Sequence, residues 1–164
     1  LFPYTTLFRS FVAEVTERDL DEIFPVIALL EGRAAHGATC RAGDADVAAL
    51  QVLHQRLQQC AAEGRITDYY AANHAIHEAF ITLADNRWLA QAIGDLRKIL
   101  RLARLQQLHA PGRLQQSLAE HLAVFDALKR RDSEAAEAAM RTHLLHQREA
   151  LRDVARNQQS RLNP

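Results

Sequence analysis

Eight histidines stand in a chain of 164 residues, and three of them fall inside apolar stripes rather than on polar ones. His77 follows Asn73 by four residues, so the two project from one helical face, and Phe80, Ile81 and Ala84 continue that face. His121 is preceded at i−3 by Leu118 and followed at i+3, i+4 and i+7 by Val124, Phe125 and Leu128. His143 follows Ala139 and Met140 by four and three residues, on a face that runs on to Ala150. A buried imidazole needs a partner. Three that converge could share a divalent metal ion, each giving a neutral nitrogen lone pair, with Asn73 adding an oxygen one turn before His77. Zinc leads among the ions that suit such donors, and nickel or manganese also fit. The plain alternative is three core histidines, each bonded to a hydroxyl or a backbone carbonyl. Convergence on one point is what separates the two readings.

Arginines supply the second chemistry. Arg97, Arg101 and Arg104 recur at i, i+4 and i+7, a stripe that could grip a carboxylate in bidentate fashion or lie solvated. Arg113, two turns before His121, is a further candidate for a cavity mouth. This makes Arg101, Arg104 and Arg113 the candidate effector-binding residues. The other histidines read as ordinary surface groups: His74 sits one turn from Glu78, while His36, His54 and His109 lie near helix ends or on polar stretches. His146, one turn past His143, reads as a rim group or a partner. Trp88 and Tyr69-Tyr70 read as packing residues.

Several enzyme classes are excluded by what is missing. No two glycines are spaced GxG, there is no GxSxG elbow, and no glutamate stands three residues before a histidine, so phosphate-cradling loops, nucleophile elbows and di-iron carboxylate bundles have no signature. Twenty basic residues balance twenty acidic ones, which leaves no chain-wide electrostatic footprint for nucleic acid or anionic membrane. The longest apolar run, 23–30, contains a proline and is far short of the roughly 20 residues that a spanning helix needs. Cys40 and Cys60 form no CxxC pair, and the expected setting is reducing and cytoplasmic.

The elements that must position these side chains are helices. Residues 1–10 differ in composition from the rest and are set aside as an irregular lead, a linker remnant or an artefact. The domain, 11–164, is rich in Ala, Leu, Gln, Arg and Glu, and breakers divide it into helical segments over 19–40, 44–63, 67–84, 86–109, 112–130 and 132–157. Asp44, Asn86 and Asp132 stand where a side-chain oxygen could cap the following helix. Short linkers predict an all-α antiparallel bundle.

The quoted residues carry a family resemblance. Asn73-His-Ala-Ile-His77, then Asp85-Asn86, then Glu120-His121 with Ala127-Leu128 and Asp132, then Met140-Arg-Thr-His143-Leu144 resemble the FCD domain, the C-terminal effector domain of GntR-type transcription regulators of the FadR subfamily. Leu30-Glu31 with Ala34-Ala35 is similar to that family's first helix, and the likeness covers about 19–151. The resemblance implies a bundle of six or seven helices that forms a homodimer and encloses a cavity for a small carboxylate metabolite above a divalent metal. Carried over by position, the metal ligands are Asn73, His77, His121 and His143. The family more often has aspartate where this chain has Asn73, which makes the site more positive, and often an arginine where this chain has Ile27. It also implies that DNA is met only through an N-terminal winged helix-turn-helix that this sequence does not include. No enzymatic activity is expected. The rival is a metal-dependent hydrolase or lyase, but its candidate bases Glu78 and Glu120 are each turned about 100° from the neighbouring ligand. A metal-free helical dimerisation module is the third reading.

Overall fold

The computed structural model describes residues 16–162, so the lead at 1–10 lies outside the described residues. Six α-helices follow one another: α1 (Glu17–Arg41), α2 (Asp44–Ala62), α3 (Ile66–Leu83), α4 (Arg87–Gln106), α5 (Arg113–Lys129) and α6 (Ser133–Leu162), with a 3₁₀ turn at Gln107–His109 between α4 and α5. Among the described residues there is no strand. The all-α bundle expected from the composition is what forms.

Local chemistry fixes the boundaries. α1 starts two residues before the expected position because Thr16 and Asp19 make a reciprocal cap: the Asp19 amide donates to Thr16 Oγ1 (3.1 Å) and the Thr16 amide to Asp19 Oδ2 (2.8 Å). Asn86 Oδ1 accepts from the amides of Trp88 and Leu89, both at 3.1 Å, and Asp132 Oδ1 accepts from Ala135 (3.0 Å), so these two caps act as expected. Asp44 does not cap α2; Gly43 holds that place, and its amide donates to Asp46 Oδ2 (2.8 Å). The segment expected to end at 109 tightens into the 3₁₀ turn after Gln106, and α6 runs on to Leu162.

The pairs α2/α3, α3/α4 and α5/α6 pack against each other across connections of three residues, which folds them back on themselves. α1 packs chiefly along α6 and also touches α3, α4 and α5. That approach depends on Gly32, where a Cβ would come within 2.5 Å of Arg141 Cγ on α6. The core is continuous through Phe24, Ile27, Tyr69, Ile76, Phe80, Phe125, Leu128, Met140 and Leu144, all at most 2% exposed. Ile27, at the family's arginine position, is core. α3, α5 and α6 therefore each turn one stripe toward a shared interior, with α1 and α4 closing over it.

Candidate metal centre

The three imidazoles meet. His77 on α3, His121 on α5 and His143 on α6 are each 0% exposed, and their ring centroids lie 5.0 Å (77–121), 5.3 Å (77–143) and 4.4 Å (121–143) apart. One ring nitrogen from each lies within 4.8 Å of the other two. Asn73 is beside them, 4% exposed, with its Nδ2–H donating to His121 Nε2 at 2.9 Å.

Hydrogen bonds decide which nitrogens carry protons. His77 Nδ1–H donates to Glu31 Oε2 on α1 (2.6 Å), which leaves Nε2 a lone pair, buried and without a partner. His143 Nδ1–H donates to Glu120 Oε2 (2.6 Å), and its Nε2 accepts from the Gln147 amide (2.8 Å). His121 Nε2 accepts from Asn73, so its proton sits on Nδ1, which is buried and unpartnered. All three rings thus carry an Nε2 lone pair, without a partner in His77 and accepting from Asn73 in His121 and from Gln147 in His143. Carboxylates fix the far nitrogens of two of them, the arrangement that orients ligating histidines and raises their basicity.

The electrostatics agree with neutral rings. Burial pushes His77, His121 and His143 below the ordinary histidine value, His77 and His121 well below, although Glu31 and Glu120 pull the other way for His77 and His143. Burial alone would raise Glu31, but the Arg97 guanidinium and His77 hold it well below the usual carboxylate range. Burial also opposes ionisation of Glu120, and bonds from His143 and Arg113 bring it down to about 2. The donors fit a divalent cation: three neutral imidazole nitrogens, an amide that can present oxygen, and anionic partners outside them.

The arginines divide. Arg97 is buried with Nε and Nη2 on Glu31 (2.8 and 2.7 Å), so the solvated-face alternative fails for it. Arg104 is 6% exposed, lies 4.0 Å from Glu31, and has no hydrogen-bond acceptor among the described residues. Burial and the charge of Arg97 pull it down to about 10, which still leaves it charged at neutral pH. Arg101 is exposed. Together with Tyr70, His74 and Glu78 these three line a groove of about 330 Å³ between α3 and α4. Arg113 lies elsewhere: it clamps Glu120 with both terminal nitrogens (2.9 Å each) and donates to Gln107 (2.7 Å).

Sequence reasoning missed four participants. Glu31 and Gln147 had a signal, since Glu31 stands four residues after Ile27 and four before Ala35, and Gln147 one turn after His143. His54, read as a surface group, is 1% exposed; its Nδ1–H donates to Leu50 O (2.7 Å) and its ring stacks on Phe125 at 4.3 Å. Leu50, His54, Leu57 and Ala61 follow the same helical spacing that revealed the others. Glu120 turns from His121, as expected, but onto His143 and His146 Nδ1 (2.7 Å). His74 does pair loosely with Glu78, at 3.9 Å. Trp88, expected to pack, is 66% exposed.

The FCD domain family matches residues 22–146. The HTH-type transcriptional regulator YdhC of Bacillus subtilis (strain 168), itself described as uncharacterised, is 23% identical over 144 residues, covering 87% of this chain and 64% of that protein. The solved structure of E. coli McbR/YncC shares the fold, with a TM-score of 0.79 and 24% identity over 87% of this chain and 68% of that one. The chain belongs to the FCD family, the effector-sensing domain of GntR-type transcription regulators. It is a regulatory domain and not an enzyme. It spans less than two thirds of the length of YdhC.

Proposed function

We propose that this domain senses a small carboxylate metabolite together with a divalent metal, and passes that occupancy to DNA binding. The observation that supports the metal half is that one ring nitrogen from each of three fully buried imidazoles lies within 4.8 Å of the other two. Asn73, His77, His121 and His143 would hold the ion, zinc first and nickel or manganese as alternatives, and the ion would add its positive charge to the field felt by an anion in the neighbouring groove. The carboxylate half rests on charge. Among the buried ionic groups, Arg113 is matched by Glu120, while Glu31 serves Arg97 closely and Arg104 only at 4.0 Å, which leaves one guanidinium charge in excess. Arg104, with Arg101 at the rim, is the anion-recognising pair; Arg113 acts on the site through Glu120.

Homodimerisation belongs to the same reading, supported by exposed Val26 and Leu29 on α1 and Trp88 and Ile99 on α4, each 47–66% accessible. DNA contact is assigned to an N-terminal domain, since the chain's net charge is zero. The whole regulator would work in the cytoplasm; no helix among the described residues is long and apolar enough to cross a membrane.

Metal analysis and thermal melting test the reading. Protein stripped by chelator should take up about one zinc per chain with a higher Tm, and His121→Ala should abolish both. A panel of organic acids should then stabilise the loaded protein without turnover. Unchanged melting with zinc, or product formed at catalytic rates, would reverse the assignment.

A further inference from the structure

The groove between α3 and α4 is connected to the histidine cluster by an unbroken line of hydrogen bonds. Arg97 faces both ways. Its Nε and Nη2 donate to Glu31, while Nη1 points to the groove, where Glu78 Oε1 lies 3.4 Å away. Glu31 Oε2 accepts at once from Arg97 Nη2 (2.7 Å) and from His77 Nδ1–H (2.6 Å). The far nitrogen of that ring is the buried lone pair without a partner. On the groove side, Arg104 is buried yet lacks an acceptor, and Arg101 has no ion pair among the described residues. Lys98, also on the lining, is held by Asp95 at 2.9 Å.

We propose that a small oxyanion bound in this groove by Arg101 and Arg104, out of contact with the metal, tightens metal binding at the histidine cluster through Arg97 and Glu31. The proposal rests on the sensor reading above. An oxyanion in the groove draws the positive charge of Arg104 and of Arg97 Nη1 away from Glu31. Glu31 then pulls harder on the His77 proton, and Nε2 becomes a better donor. Linkage makes the effect reciprocal, so a bound ion strengthens the hold on the oxyanion by the same factor. Direct attraction between anion and cation acts in the same direction. The carboxylate of Glu31 distinguishes the two routes, because Glu31→Gln breaks the relay and leaves Arg101 and Arg104 in place.

The test is the zinc affinity of the chain, by calorimetry in chloride and in sulfate at equal ionic strength. The readout is the ratio of the two affinities, from which sulfate's own zinc complexation cancels between variants. In the wild type, sulfate should tighten zinc about fivefold or more, the lower end of ordinary coupling. The ratio should fall toward one in Glu31→Gln. It should also fall toward one in Arg101→Ala, an exposed substitution that keeps the test valid if Glu31→Gln does not fold. Zinc binding that is indifferent to sulfate overturns the relay and leaves the sensor reading standing. A ratio that survives Glu31→Gln makes the coupling through-space, and one that survives Arg101→Ala puts the anion outside the groove; either overturns the proposal. Failure of the wild type to bind zinc at all defeats both readings.

Discussion

An amide at position 73 is the weakest donor in the cluster, because its oxygen is neutral and its nitrogen at present serves His121 Nε2. Replacing it by a carboxylate changes the sign of the local chemistry. Without metal, Asn73→Asp buries a charge and removes a donor, which should lower stability by about 1–3 kcal/mol. With metal, the same charge faces a cation in a poorly solvated interior, and zinc should bind about tenfold tighter or more. Zinc titration and urea unfolding of the two proteins measure both effects; equal zinc affinity would remove residue 73 from the donor set. The three histidines were legible because each interrupts an apolar stripe at helical spacing. Arg97 and Arg104 were legible as members of a stripe and Glu31 by its spacing, but their burial was not, since charged side chains in such stripes ordinarily extend to solvent. Only the fold shows that they neutralise one another, with one guanidinium left over.

At the scale of the element, α4 is the helix whose placement decides the groove, for it carries Arg97, Arg101 and Arg104 while packing on α1, α3 and α6. Its start is set by Asn86, whose side chain takes two amides that would otherwise be orphaned. Asn86→Ala should cost about 1 kcal/mol of unfolding free energy in urea, with the folded spectrum unchanged. A loss near zero would mean that packing, not the cap, holds the first turn. Asn86 and Asp132 were readable from sequence because a short polar side chain before a periodic run is a strong start signal. The start of α2 at Asp44 was read correctly but its cap was not, because Gly43 holds that place and leaves the capping to a side chain one turn inside, Asp46, reaching back to the Gly43 amide. The end of α4 escaped for another reason. Gln107 and Leu108 are good helix formers, but they are buried against α5 and α6 in a tighter turn that ends at Ala110, extended before Pro111.

The molecule as a whole carries its buried imidazoles as a liability toward acid. His54, His77, His121 and His143 are held below the ordinary histidine value chiefly by burial, so the folded chain resists the protons that the unfolded chain accepts below about pH 6.5. A depressed folded value contributes full stability above the unfolded value and loses it as pH falls. Each such ring removes up to about 1.4 kcal/mol per pH unit until it titrates in the folded state. The groups facing them pull in both directions: Glu31 and Glu120 favour protonation of His77 and His143, while Arg97, Arg104 and Arg113 oppose it. The carboxylates' own contribution lies lower, since Glu120 is held at about 2 and weakens the fold only as pH falls below the ordinary glutamate value. Against a total stability on the order of 5–15 kcal/mol, chelator-treated protein should lose much of its unfolding free energy between pH 7.5 and pH 5.5. Zinc should add stability at the upper pH and add progressively less toward the lower one, because the protons and the ion compete for the same lone pairs. Urea unfolding at the two pH values, with and without zinc, reads this directly. A flat profile in chelator would mean that these rings titrate as solvated histidines do, which no arrangement focused on a buried ion permits.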